Sequence, residues 1–376
     1  MRHRGTMPSP TSTASRSWYR TAGPSTLHCP PAPREVAAFH AALPQYAPTP
    51  LTELPALAAE LGVRRVFVKD ESARLGLPAF KALGAFYAIH RTIAEWVGEP
   101  VPGTPEGMRD RLTGRIPPRL CTATDGNHGR AVARMAALLG IPAVVFVPAT
   151  LDTAAIAAIE AEGAVVHTVA AEYDEVVRAA AGFAAADPGT ELVQDTAWPG
   201  YERVPGWIVD GYSTLFTEVD EQLTAAGASP DLVAVPVGVG SLAQAAVRHY
   251  RGTAAARPRL LAVEPETAAC LTDNLHAGQR RSIRPGPTIM AGLHCGTVSA
   301  LAWPYLRDGL DAAVTVTDEA AADASAGLAA LGVSSGPCGA ASLAAMRFLV
   351  ADNESSCTSG PESTLVLLST EHRAAR

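Results

Sequence analysis

Short runs of β-branched and apolar residues alternate with longer Ala/Leu-rich stretches from about residue 51 to the end of the chain. That alternation predicts a mainly parallel sheet covered by helices. The predicted strands are residues 66–69, 120–122, 143–147, 165–167, 232–235, 260–263, 313–316 and 365–368, and helices follow most of them. The connection 97–118 carries several Pro and Gly residues and reads as a surface crossing; 351–363 reads as a polar, Ser-rich loop before the last strand. No solenoid-length repeat interrupts the pattern. Residues 1–35, rich in Ser, Thr, Pro and Arg, have no apolar segment, so they fit neither a secretory signal nor an anchor and are expected to be mostly disordered.

Composition narrows the functional class. A chain of 376 residues, 48% hydrophobic and 18% charged, can bury a large core in one large or two closely packed domains. The formal net charge of −7 and the lack of a dense Lys/Arg stripe argue against nucleic acid or an anionic membrane as partner, which leaves a small molecule. No stretch reaches the roughly 20 uninterrupted apolar residues of a spanning helix, so a cytoplasmic protein is expected. The cysteines (Cys29, Cys121, Cys270, Cys295, Cys338, Cys357) show no C-x-x-C pair and no His at ligand spacing, so neither a metal site nor a disulfide framework is expected. A pairing of Cys270 with Cys295 is left open.

Four segments at predicted strand ends carry candidate chemistry. Phe80-Lys81-Ala82-Leu83 places a lysine at the start of an apolar helix, where burial and the positive helix end would depress its pKa and make it a Schiff-base amine; the plain alternative is a solvated lysine. Thr124-Asp125-Gly126-Asn127-His128 packs a carboxylate, an amide and an imidazole between glycines, suited to acid-base work or to gripping an anion, and equally to an Asx-type turn with a capped helix. Gly238-Val239-Gly240-Ser241-Leu242 follows a buried strand and opens a helix. Its N–H groups and the Ser241 hydroxyl could hold a phosphate; an ordinary glycine turn is the alternative. It lacks the third spaced glycine of a dinucleotide fingerprint, so hydride chemistry is disfavoured. Ser369 closes the last strand, where a hydroxyl could meet a pyridine nitrogen or merely end the strand.

Taken together and in order, these strings and others (Pro48-Thr49-Pro50-Leu51, Val68-Lys69-Asp70-Glu71-Ser72, Gln194-Asp195-Thr196-Ala197-Trp198, Thr288-Ile289-Met290-Ala291-Gly292-Leu293, Gly336-Pro337-Cys338-Gly339) give a chain that resembles the fold-type II pyridoxal-phosphate enzymes, the tryptophan synthase β-like group, over about residues 47–372. Within that group it looks most like the diaminopropionate ammonia-lyases. The resemblance implies two open, parallel-rich α/β domains, a large one from 36–85 with 205–376 and a small one from 86–204, in a homodimer. It implies pyridoxal 5'-phosphate as cofactor. Lys81 would be the Schiff-base lysine beside Phe80, Asn127 would contact the phenolic oxygen, Gly238 to Leu242 the phosphate, and Ser369 the ring nitrogen. Thr124, Gly126 and His128 would hold a substrate carboxylate.

The reaction it implies is α,β-elimination of ammonia from D- or L-2,3-diaminopropionate. Lys81 or Asp125 would take the Cα proton, and Asp195 would keep the β-amino group protonated as a leaving group. The alternatives kept beside it are a serine/threonine dehydratase-like or a β-replacement enzyme on a related amino acid, and a non-catalytic binding protein. Gly84-Ala85, Ala131, His294 and Glu371-His372 depart from the family pattern, Ala85 and Ala131 by methyl groups that would narrow the pocket or be absorbed.

Overall fold

The computed structural model describes residues 18–21, 23, 25–252, 255–351 and 360–373. Its strands are β1 (Trp18–Arg20), β2 (Leu51–Glu53), β3 (Arg65–Asp70), β4 (Arg119–Ala123), β5 (Ala143–Pro148), β6 (Val165–Val169), β7 (Thr190–Leu192), β8 (Leu232–Pro236), β9 (Arg259–Pro265), β10 (Ala312–Val316) and β11 (Thr364–Ser369). All eight strands expected from the pattern are present, lengthened by one to three residues. They form a seven-stranded sheet, β1-β10-β9-β8-β11-β3-β2, and a four-stranded one, β6-β5-β4-β7. Pairing is parallel except at the two ends of the large sheet, where β1 runs against β10 and β2 against β3. The middle strands β8 and β11 are buried at every position, which explains their unbroken apolar runs.

The expectation of disorder through residue 35 fails from residue 18 onward. Trp18 and Tyr19 pack on the hydrophobic core, Tyr19 meets the His276 ring edge-on at 5.2 Å, and Trp18 to Arg20 pair with Val314 to Ala312. Apolar burial and a free sheet edge outweigh the polar composition around them; residues 1–17 lie outside the described residues. The connection 97–118 contains a helix, Pro105–Leu112, whose Thr104 hydroxyl accepts from Gly107 N at 3.1 Å, a cap with proline at the first helical position. Among the described residues no helix is long and apolar enough to cross a membrane.

Lys81 is placed by close helix packing. The helix Lys81–Val97 lies against Arg203–Ala225, and a Cβ on Gly211 of the second helix would stand 2.5 Å from Leu83 O and 2.8 Å from Gly84 Cα. Both obstacles are backbone and cannot swing aside. Gly211→Ala is therefore expected to lose more by overpacking (about 1–3 kcal/mol) than it gains in helix propensity (about 1 kcal/mol). The check is a thermal melt: a midpoint lowered by a few degrees is expected, and an unchanged one would show that the helices part freely.

Beneath this contact lies a buried ion cluster. Lys69 Nζ meets Glu218 Oε2 at 2.6 Å, while Arg74 meets Glu218 Oε1 and Glu71 Oε1, each at 2.6 Å. Thr49 Oγ1 donates to Glu71 Oε1 at 2.6 Å and Tyr46 OH to Glu218 Oε1 at 2.9 Å. These links tie the end of β3 to the helix that carries Gly211.

Candidate active site

In open α/β sheets the ligand crevice lies beyond the carboxyl ends of the strands. Here the segments after β4, β7, β8 and β11 converge there with the start of the Lys81–Val97 helix, and one pocket is lined by Lys81, Asp125, Asn127, Asp195, Ser241 and Glu371 among others.

Lys81 Nζ donates to Asp195 Oδ2 at 2.5 Å. The sequence-based expectation of a depressed lysine is reversed. Burial does work against the ammonium, but the Asp195 carboxylate, with Tyr212 and Cys295, outweighs it and holds Lys81 above its ordinary value. Burial pushes Asp195 up in turn, while the Lys81 ammonium, by its charge and its hydrogen bond, pulls it further down, to about 2. Asp125 goes the other way. Burial first, then the Asp195 charge, raise it well above the usual carboxylate range, and Lys81 opposes them only in part. Two carboxylates driven apart in one pocket are the usual arrangement for dividing acid from base.

Gln194 holds Asp195 in place, donating from Nε2 to Asp195 Oδ1 at 3.2 Å while its Oε1 accepts from Ala123 N at 2.8 Å. The Phe80 ring packs tilted at 56° against Tyr212, with centroids 4.8 Å apart, and Lys81 Nζ lies 5.3 Å from the Phe80 centroid.

The three residues expected to hold a substrate carboxylate all line the pocket, yet their hydrogen bonds run elsewhere. Thr124 Oγ1 accepts from Gly126 N at 2.9 Å and Gly129 N at 3.0 Å, so the Gly126 N–H is spent within the turn. His128 Nε2 faces Val193 O at 2.8 Å and must carry the proton there, which leaves Nδ1 as a buried, unpartnered acceptor that repels a carboxylate. Burial also lowers the His128 pKa, favouring the neutral ring. The donors left at this turn are the Thr124 hydroxyl proton and the first main-chain N–H groups of the helix Asn127–Leu139.

Gly240 caps the helix Ser241–Tyr250 at φ 98°, and a Cβ there would come within 2.7 Å of Leu306 Cδ1, so glycine is required on both counts. The Ser241 hydroxyl donates to Asp195 O at 2.6 Å. Phosphate would therefore rest mainly on the loop's N–H groups. Cys270 Sγ lies 3.9 Å from Gly238 O, and a Cβ on Gly238 would meet Cys295 Sγ at 3.1 Å; both cysteines are buried, free thiols.

Pyridoxal phosphate fits this set by a direct structural sign. Ser369 Oγ is fully buried with no partner among the described residues, a hydroxyl left over for a ring nitrogen. Ser369 stands one residue behind the lining residues Thr370 and Glu371. Ala85 and Ala131 are buried and outside the lining, so their extra methyl groups are absorbed by packing.

Sequence reasoning missed Tyr173, Cys338 and Glu371 as lining residues. Tyr173 opens a helix with no motif around it. Glu371 was noted only as part of a departure, although its place beside Ser369 was the available signal.

Comparison with known proteins agrees with this geometry. Residues 42–370 match the family model described as pyridoxal-phosphate dependent enzyme. A diaminopropionate ammonia-lyase of Salmonella typhimurium is 37% identical over 296 residues, which span 76% of this chain and 72% of that protein. Crystal structures of the Escherichia coli diaminopropionate ammonia lyase superpose well: the complex with D-serine has a TM-score of 0.82 at 30% identity, and that with an aminoacrylate-PLP azomethine intermediate 0.81 at 31%, each covering 94% of this chain and 93% of the other. The lysine and its buried carboxylate partner, the helix-end cradle and the leftover serine hydroxyl all sit within that shared region, and the chain belongs to the pyridoxal-phosphate-dependent enzyme family, in its diaminopropionate ammonia-lyase branch.

Proposed function

We propose that the protein eliminates ammonia from 2,3-diaminopropionate to give pyruvate and two ammonia. The observation that carries this reading is the Lys81–Asp195 pair: Asp195 already binds a primary alkylammonium at 2.5 Å, inside the pocket and on a carboxylate held near pKa 2. The β-ammonium of the substrate is the same chemical group. Pyridoxal phosphate supplies, when bound, the electron sink that makes the Cα proton removable, with Lys81 as covalent anchor, the N–H groups of Gly238 to Leu242 for its phosphate, Ser369 for its ring nitrogen and Asn127 for its phenolic oxygen.

Lys81, once engaged in that anchor, no longer occupies Asp195 as an ammonium. The freed carboxylate accepts the β-ammonium and keeps it protonated, so that neutral ammonia leaves rather than amide ion. Asp125, raised by burial, holds a proton more strongly than an ordinary carboxylate and is the stronger base for it. Displaced from its anchoring role by the substrate's α-amino group, Lys81 would be a free amine, and it and Asp125 would serve as alternative acceptors of the Cα proton for the two stereoisomers. The released enamine tautomerises and takes up water, giving pyruvate and the second ammonia.

The domain division at residues 85/86 and 204/205 belongs to the proposal, supported by the four-stranded sheet drawing all its strands from residues 119–192. A homodimer and a cytoplasmic location are carried over with it.

Asp195→Asn provides the test. It is expected to keep the visible cofactor band while lowering kcat/KM for diaminopropionate by about 10²–10⁴, the range for a positioned acid-base group, with a much smaller change for serine. Pyruvate and ammonia released from D- and L-diaminopropionate, serine and threonine are the readout. Equal losses on diaminopropionate and serine, or unimpaired diaminopropionate turnover, would overturn the role of Asp195 and favour a dehydratase.

A further inference from the structure

Among the carboxylates lining the pocket, Glu371 is used by none of the steps above, yet both its main chain and its carboxylate are held in place. Its main chain bridges to Ala79, two residues before Lys81, and its O accepts from Gly336 N at 3.0 Å. Oε1 accepts from Cys338 N at 3.3 Å, in the first turn of the helix Pro337–Ala351. The Cys338 thiol is a second neighbour. Oε2 accepts from Asn127 Nδ2 at 3.1 Å. A Cβ placed on Gly336 would stand 2.7 Å from Oε1, so the carboxylate fills a slot that only glycine leaves open.

The geometry points to Glu371 as a positioning residue that fixes which end of the Asn127 amide faces the cofactor. An asparagine side chain can present either its NH₂ or its oxygen, and nothing in its own shape decides between them. A carboxylate accepts only. With Oε1 pinned on a helix N-terminus, Oε2 selects the NH₂ end of Asn127, and the second N–H of that group remains to donate to the phenolic oxygen. The contact also joins the small sheet to the large one, because Asn127 opens the helix after β4 while Glu371 follows β11. The inference rests on the proposed contact of Asn127 with the cofactor and not on the identity of the substrate.

Glu371→Gln separates orientation from mere packing. Glutamine keeps an oxygen for Cys338 N but turns its own NH₂ toward Asn127, and two donors facing each other drive the amide over, with its oxygen then opposing the phenolic oxygen. The experiment titrates cofactor-free protein with pyridoxal phosphate and reads the visible band and the dissociation constant. Expected are a displaced band maximum, a dissociation constant raised about tenfold (1.4 kcal/mol of binding per factor of ten), and a melting point of the cofactor-free protein unchanged within about 2 °C. Glu371→Asp, which stays an acceptor at shorter reach, is expected to keep the band position while binding more weakly. It also supplies the test should the glutamine variant fail to fold.

Asn127→Ala completes a double-mutant cycle. If Glu371 acts through Asn127, Glu371→Gln adds little to the loss from Asn127→Ala. Losses that multiply, or a Glu371→Gln protein with wild-type band and affinity, would overturn the assignment. Because no amino acid substrate enters the measurement, failure of the diaminopropionate reading leaves this result standing, and the reverse holds.

Discussion

Lys81→Ala, reconstituted with pyridoxal phosphate, is expected to lose diaminopropionate turnover by at least about 10⁴-fold, since one side chain serves as covalent anchor and as proton acceptor. The visible band of the anchored cofactor should vanish with it. Stability changes as well, in a direction set by Asp195. In the cofactor-free protein Asp195 is depressed to about 2, below the ~3.9 of an unfolded chain, so the pair contributes stability that is complete above about pH 4 and is lost as pH falls through 2. Without the ammonium, burial raises Asp195 instead. The variant then loses stability as pH rises from about 4 toward that raised value, a slope of opposite sign. Melting points between pH 4 and 8 distinguish the two. A variant with an unaltered pH profile would show that Asp195 finds another cation, and residual turnover above 1% of wild type would remove Lys81 from its assigned place.

Glu218→Ala is expected to be the most destabilising single change to the framework, at about 3–5 kcal/mol. It leaves Lys69 and Arg74, both fully buried, to share Glu71 alone. Burial pushes Glu218 up, but Arg74 and Lys69 bring it below its ordinary value, so its contribution is present at neutral pH and disappears on acidification. The loss reaches the active site through the helix Arg203–Ala225, whose Gly211 face sets the Lys81 helix. Lower cofactor occupancy at a given free concentration should therefore accompany the lower denaturation midpoint. Chemical denaturation of cofactor-free protein measures the first effect; a loss below about 1 kcal/mol would mean that water enters and solvates the two cations.

The interior strands were legible because each is a largely apolar run buried on both faces, as Leu232 to Pro236 and Thr364 to Ser369 show. The three-residue strands β1, β2 and β7 were not, since three residues carry no periodicity. Lys81, Asp125, Asn127 and Asp195 were found by their motifs, and folding brings them to one pocket. What the strings could not disclose is how their hydrogen bonds are shared. The proton state of Lys81 is decided by Asp195, 114 positions away, and His128 and Gly126 are diverted to Val193 O and Thr124 Oγ1 by neighbours that only the folded turn supplies. A local reading of an apolar helix start gives the burial contribution alone and hence the wrong direction for the lysine.

The antiparallel strand Trp18–Arg20 bears on how the molecule coexists with its own copies. A parallel sheet ends in a row of unsatisfied amides and carbonyls, a template on which another chain can grow. At the β10 rim that row is matched, among the described residues, by the short strand Trp18–Arg20, so colloidal behaviour at high concentration depends on a tether distant from the chemistry. Trimming that segment for convenience in expression would leave the pocket intact and uncover the sheet's most adhesive border.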